Sequence, residues 1–114
     1  MSVFKRFSLP THGAIEFVAG LTMMLAPAVL PFGIAGLIVS ATLGAIQAGM
    51  GLRLTTRYDP TTVWHRQYDS VFALATAGGA LALAAIGDAP AAIFLIAVLG
   101  VQTCVNFATR YVAV

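Results

Sequence analysis

The chain has 114 residues, 60% of them hydrophobic and only 9% charged, with six Lys/Arg against four Asp/Glu. Soluble domains carry about 25% charged residues, so this inventory cannot cover a water-facing surface and a soluble globular domain is excluded. The charge is also blocked: no Asp, Glu, Lys or Arg intervenes between Glu16 and Arg53, and only Asp88 does between Asp69 and Arg110. Runs of that length exceed the roughly 18–20 apolar residues needed to cross a bilayer.

At the N-terminus, Phe4 and Phe7 flank Lys5 and Arg6, a pattern expected to lie along the membrane surface as a short anchor. A cleaved signal peptide would use Lys5-Arg6 as its basic region and Ala26-Pro27-Ala28 as its cleavage site. Glu16 inside the would-be apolar segment, and the equal apolarity of everything that follows, argue against it.

The first run has 36 uncharged residues, which as one helix would be about 54 Å long, so it must fold back once. Pro27 and Pro31 mark the turn, because proline lacks a backbone donor and clashes with the preceding helical turn, while Pro31 suits the opening of the next helix. In the second run Gly87 can end one helix, Asp88 can cap the next and Pro90 fits its first turn. Between the runs, Asp59-Pro60 reads as a cap followed by a first-turn proline. The predicted architecture is all-α: an integral membrane four-helix bundle of two tandem hairpins in a single transmembrane domain. Its helices cover about 9–27, 31–53, 60–86 and 89–110, so that hairpin 1 spans about 9–53, a polar loop 54–59, and hairpin 2 about 60–110.

All six cations, Lys5, Arg6, Arg53, Arg57, Arg66 and Arg110, fall on one side of that topology. The positive-inside rule then places both termini in the cytoplasm, with a bacterial inner membrane as the expected location. Tyr58, Trp64, Tyr68, Phe107 and Tyr111 gather on the same side as an aromatic belt. This rule also accounts for the net charge of +2, which implies no nucleic-acid partner.

A shift of 53 residues superimposes His12 on His65, Glu16 on Asp69, and Thr56-Arg57-Tyr58 on Thr109-Arg110-Tyr111. Agreement on rare residue types reads as a duplicated hairpin whose copies are related by an axis along the membrane normal. The stretch GLTMMLAPAVLPFG, residues 20–33, resembles the Gly-Leu-x-x-x-(Ser/Ala)-Pro-x-x-Leu turn of the SPW-repeat membrane proteins. That resemblance implies two tandem helical hairpins and no defined activity. Ala26-Pro27-Ala28 stands where the family has Ser-Pro-Trp, and Gly87-Asp88-Ala89-Pro90 occupies the second turn.

Both histidines of the chain stand four residues ahead of an acid, His12 before Glu16 and His65 before Asp69. Residues four apart share a helix face, and an acid near a helix N-terminus is favoured by the macrodipole, so interfacial pairing is the plain expectation. Glu16 fits it poorly, because only about 22 Å of helix separates it from the far turn while the hydrocarbon core is about 30 Å thick. His65–Asp69 is therefore expected to be an interfacial pair, and Glu16, with His12, to find a buried partner, Arg57 or Arg66 by charge. Were the first and third helices neighbours, His12, Glu16, His65 and Asp69 could converge as ligands for Zn²⁺, Fe or Mn, or the two imidazoles could ligate haem.

The other chemistry is sparse. No glycine-rich phosphate loop is present, and Ser8, Ser40 and Ser70 lack an activating His–acid pair, so no catalytic residues are expected. Cys104 has no partner cysteine and is expected to pack as a small hydrophobe. Gln47, Gln102 and Asn106 are expected to form interhelical hydrogen bonds or, alternatively, to line a polar path. Ser40-x-x-x-Gly44-x-x-x-Ala48 and Ala73-x-x-x-Ala77 form small-residue ridges of the kind that let helices approach closely in lipid. With more such faces than one bundle needs, the expected role is an accessory or structural subunit of a larger membrane complex or homo-oligomer, not an enzyme and without a cofactor. The alternatives are a small transporter or proton/cation permeation unit, motivated by Glu16, and a haem- or metal-binding subunit.

Overall fold

The structure is a computed structural model that describes residues 7–56 and 62–109. It contains α1 (Leu9–Val29), α2 (Ile34–Thr56), α3 (Thr62–Ala85) and α4 (Ala89–Ala108). All four contain stretches of 20–22 residues long and apolar enough to cross a membrane, and 20 residues of helix rise about 30 Å. The N-terminal anchor, the Asp59-Pro60 cap and the cations Lys5, Arg6, Arg57 and Arg110 lie outside the described residues.

The turns follow from local chemistry, with two departures from expectation. Ser8 caps α1 by accepting from the Thr11 amide at 3.3 Å. Helix α1 does not stop at Pro27 but carries it within its last turn, and α2 starts at Ile34, beyond Pro31. Pro27 has no N–H for the carbonyl four residues back, that of Met23. The Ser40 hydroxyl on α2 donates to that carbonyl at 2.7 Å in a fully buried position. The helix therefore survives its proline because the facing helix supplies the missing donor.

At the other turn, Gly87 takes φ +88°. The Gly87 amide bonds the Ala84 carbonyl at 3.1 Å and the Asp88 amide bonds that of Leu83 at 2.9 Å, the paired bonds of a Schellman termination. Asp88 occupies the N-cap position of α4, but its side chain does not cap that helix. It reaches hairpin 1 instead, where Oδ2 accepts from the Gly33 and Gly36 amides at 2.9 and 3.1 Å. The carboxylate thus satisfies orphan donors at the start of α2, where the helix dipole favours negative charge.

The two hairpins pack differently. Along α1–α2 a Cβ added to Gly20 would sit 2.6 Å from the Gly44 carbonyl oxygen and 2.8 Å from Ala48 Cα, and one on Gly44 would meet the Gly20 oxygen at 2.6 Å. The Ser40–Gly44–Ala48 ridge is thus used within the chain, against Gly20 and Met23, and is not a spare surface for other subunits. Ala73 and Ala77 are only half-buried, and α3–α4 packs through larger side chains, with Phe72, Leu83, Ala92 and Leu95 in the core. Val39 and Leu43 of α2 lie against that core and join the hairpins. Helices α2 and α4 approach across the middle of the bundle, whereas among the described residues no Cα of α1 comes within 8 Å of one in α3. Helices α1 and α3 occupy the long diagonal, the arrangement expected when equivalent helices of two repeats flank a common axis.

Candidate metal centre

Across that diagonal the side chains of α1 and α3 meet. His12 and Glu16 project from α1 and His65 and Asp69 from α3, with 0, 2, 8 and 2% of their surfaces exposed. His12 Nε2 lies 3.0 Å from Glu16 Oε1 and 3.0 Å from Asp69 Oδ2. His65 Nε2 lies 3.3 Å from Glu16 Oε2 and 3.4 Å from Asp69 Oδ1. Each histidine faces both acids and each carboxylate divides its oxygens between the two histidines, forming an alternating ring. One donor atom from each of the four lies within 4.8 Å of every other. The ring has the symmetry of the 53-residue spacing, with His12 opposite His65 and Glu16 opposite Asp69.

This placement corrects the expected division of roles. His65–Asp69 does not stand apart from His12–Glu16: it is buried in the bundle as well and interleaved with it. Among the described residues the partners of Glu16 are histidines; Arg66 is exposed on α3, and Arg57 lies outside the described residues. Trp64 and Tyr68, one turn apart on α3, are 65% and 56% exposed, so the first turns of α3 divide an inward His–acid stripe from an exposed aromatic one.

Thr109, just past the end of α4, fixes the orientation of His12. Its hydroxyl lies 2.6 Å from the Val105 carbonyl and 2.6 Å from His12 Nδ1. A carbonyl only accepts, so the single hydroxyl hydrogen goes to Val105 and His12 Nδ1–H donates to the threonine oxygen. The proton on Nδ1 leaves Nε2, the nitrogen facing the ring, as the ligand-type atom. A metal-binding histidine typically donates its remote N–H to an outer acceptor in this way. The Phe7 amide, bonded to the Ala108 carbonyl at 2.9 Å, ties the start of the described chain to the end of α4 beside Thr109. Thr109 belongs to the repeated Thr-Arg-Tyr element, but nothing in its spacing revealed contact with His12, which stands 97 residues away.

The ring holds four short N···O contacts. The inward nitrogens can contribute at most two hydrogens, one per Nε2, so protons alone cannot give every contact its own linear hydrogen bond. Glu16 Oε2 is buried without a hydrogen bond of good geometry among the described residues. A cation bonded to N and O donors at about 2.0–2.2 Å sets neighbouring donors roughly 2.8–3.6 Å apart, and all four ring contacts fall inside that interval. Two carboxylates balance a divalent ion, leaving a centre of zero net charge in a low-dielectric surrounding. Haem does not fit: the imidazoles meet edge to face with centroids 5.4 Å apart, and both carboxylates occupy the gap a macrocycle would need.

Two recesses flank the ring. Glu16 lines one beside α4, with Gln47, Gln102 and Asn106, and His65 lines another beside α2, with Arg53, Trp64 and Tyr68. The three amides do not form the expected interhelical bonds: Gln47 Oε1, both polar atoms of the Gln102 amide and Asn106 Oδ1 have no hydrogen-bond partner among the described residues. Cys104 lies on an exposed face rather than in the core. In comparisons with protein-family models, curated proteins and solved structures, nothing matches this chain.

Proposed function

We propose that this chain is a small integral membrane protein that holds one divalent first-row transition metal ion between its two hairpins. The observation that carries this reading is the alternating His12–Glu16–His65–Asp69 ring, with N···O separations of 3.0–3.4 Å. Imidazole nitrogen with carboxylate oxygen suits Zn²⁺, Fe²⁺ or Mn²⁺, with Zn²⁺ the tightest of these three in the general affinity order. Four buried ionisable groups are a costly way to fill a bundle, since apolar residues of similar volume are often neutral or stabilising in their place. An ionisable residue in a membrane span points by default to function. The ion pins α1 to α3 where the backbones themselves do not touch. The one-sided placement of the cations along the sequence supports an orientation with both termini in the cytoplasm of a bacterial inner membrane.

Elemental analysis of protein purified in mild detergent tests the centre. One Zn, Fe or Mn per chain is expected, lost in His12→Ala and in His65→Ala, with helicity measured in each variant. Wild type that stays metal-free after incubation with each ion, and melts at the same temperature with and without it, overturns the reading. A cytoplasmic reporter fused to either terminus tests the orientation, and activity confined to the opposite side refutes it.

A second reading, membership of a homo-oligomer or larger membrane assembly, is favoured by one observation. A Cβ on Gly78 or Gly100 would meet nothing within 4 Å, leaving smooth outward faces on α3 and α4. Cross-linking in native membranes tests it, with a chain that remains monomeric as the refuting result.

A further inference from the structure

The recess between α1 and α4 has a volume of about 270 Å³. Its walls are aliphatic apart from Glu16, Thr22 and three amides, and Val101, which lines it, is 59% exposed on the outer surface of α4. Within the candidate spans that surface faces lipid, so the recess opens sideways into the apolar phase.

Its inner wall holds an anomaly. Gln47 and Gln102 are 2% and 6% exposed, and Gln47 Oε1 together with the Gln102 amide oxygen and nitrogen lacks a partner among the described residues. Asn106 Oδ1, which also lines the recess, is in the same condition. In a bilayer, where no water is at hand to satisfy them, such groups are expensive to leave alone. Gln47 Oε1 and Gln102 Oε1 each call for a hydrogen donor, and Gln102 Nε2 for an acceptor.

We propose that this recess binds a lipid-soluble hydroxyaromatic molecule of one or two rings. Its hydroxyl donates its one hydrogen to the Gln47 oxygen and accepts from the Gln102 amide nitrogen, and its ring fills the aliphatic walls. Size sets the class: a dry cavity of about 150 Å³ is known to hold benzene, and 270 Å³ has room for a second ring. Glu16 is shared between the His–carboxylate ring and the lining of the recess. The binding itself needs no metal, so it stands independently of the ion.

The test compares 1-naphthol with naphthalene on full-length protein in lipid nanodiscs, with protein-free nanodiscs as the partitioning control. Saturable binding of one naphthol per chain is expected, about ten-fold tighter than naphthalene, the factor that one net hydrogen bond gives. In Gln47→Leu/Gln102→Leu that preference disappears while naphthalene still binds, and the metal content remains that of wild type. Ala97→Phe, at the exposed edge of the recess, blocks both compounds without touching the buried amides. No saturable binding above the protein-free control, equal affinity for the two compounds in wild type, or a naphthol preference that survives in the double variant each overturns the proposal.

Discussion

Replacing Thr109 with valine removes one oxygen from the second layer of the candidate centre and little else. Valine keeps the branched shape, so the change isolates the hydroxyl rather than opening a cavity. In the structure that hydroxyl accepts from His12 Nδ1 at 2.6 Å, with both residues at 0% exposure. Without it the imidazole N–H is buried and unmatched, at a cost of about 1–3 kcal/mol. The ring recovers part of this by swapping tautomer or rotating, and both responses turn Nε2 away from its role toward Glu16 and Asp69. Loss of an outer hydrogen-bond partner of a metal-binding histidine typically weakens metal affinity about 10–100-fold, and that is the expected effect on zinc binding. The assay is competition with a chromophoric chelator in detergent, run on wild type, Thr109→Val and Thr109→Ser. Serine keeps the oxygen and should stay close to wild type. A valine variant with wild-type zinc affinity would refute the assignment of Thr109 as the residue that orients His12. A loss in serine with none in valine would show that the methyl packing, not the hydroxyl, matters.

Three further predictions concern the fold. Ser40→Ala leaves the Met23 carbonyl, already deprived of its donor by Pro27, without a partner, and should lower stability to unfolding in SDS by about 1–2 kcal/mol; no change would show that Pro27 needs no compensation. Asp88→Ala strips the acceptor from the Gly33 and Gly36 amides and should cost about 1–2 kcal/mol by the same assay, with Asp88→Asn retaining much of it. Gly20→Ala pushes a methyl group to 2.6 Å from the Gly44 oxygen and should destabilise by about 1–3 kcal/mol, whereas Gly78→Ala, with nothing within 4 Å, should be neutral or stabilising by up to about 1 kcal/mol through helix propensity. Equal thermal shifts in the two glycine variants would contradict the close α1–α2 approach.

The sequence by itself determined the four spans, because long uncharged runs, Pro27 and Gly87 act locally on the chain and the bilayer. It also placed each histidine on the same face as its acid, since spacing of four is a property of one helix, and it showed the common 53-residue offset between the two pairs. It marked Ser40, Gly44 and Ala48 as a contact ridge without saying whether the facing helix belonged to this chain. Tertiary structure decided the rest. That α1 and α3 lie across a diagonal with both His–acid pairs inward is a matter of how helices rotate about their axes and neighbour one another, which no periodicity within a helix encodes. Depth misled for His65 and Asp69 for the same reason: sequence distance from a polar loop measures height in the membrane, whereas burial in a bundle depends on what stands alongside. Thr109 on His12, Ser40 on the Met23 carbonyl and Asp88 on the start of α2 are bonds across 97, 17 and 52–55 residues. Each satisfies a group whose need was local, the imidazole N–H, the carbonyl behind a proline or the open amides of a helix start. The partner was chosen by proximity in the folded bundle, and proximity exists only once the helices have packed.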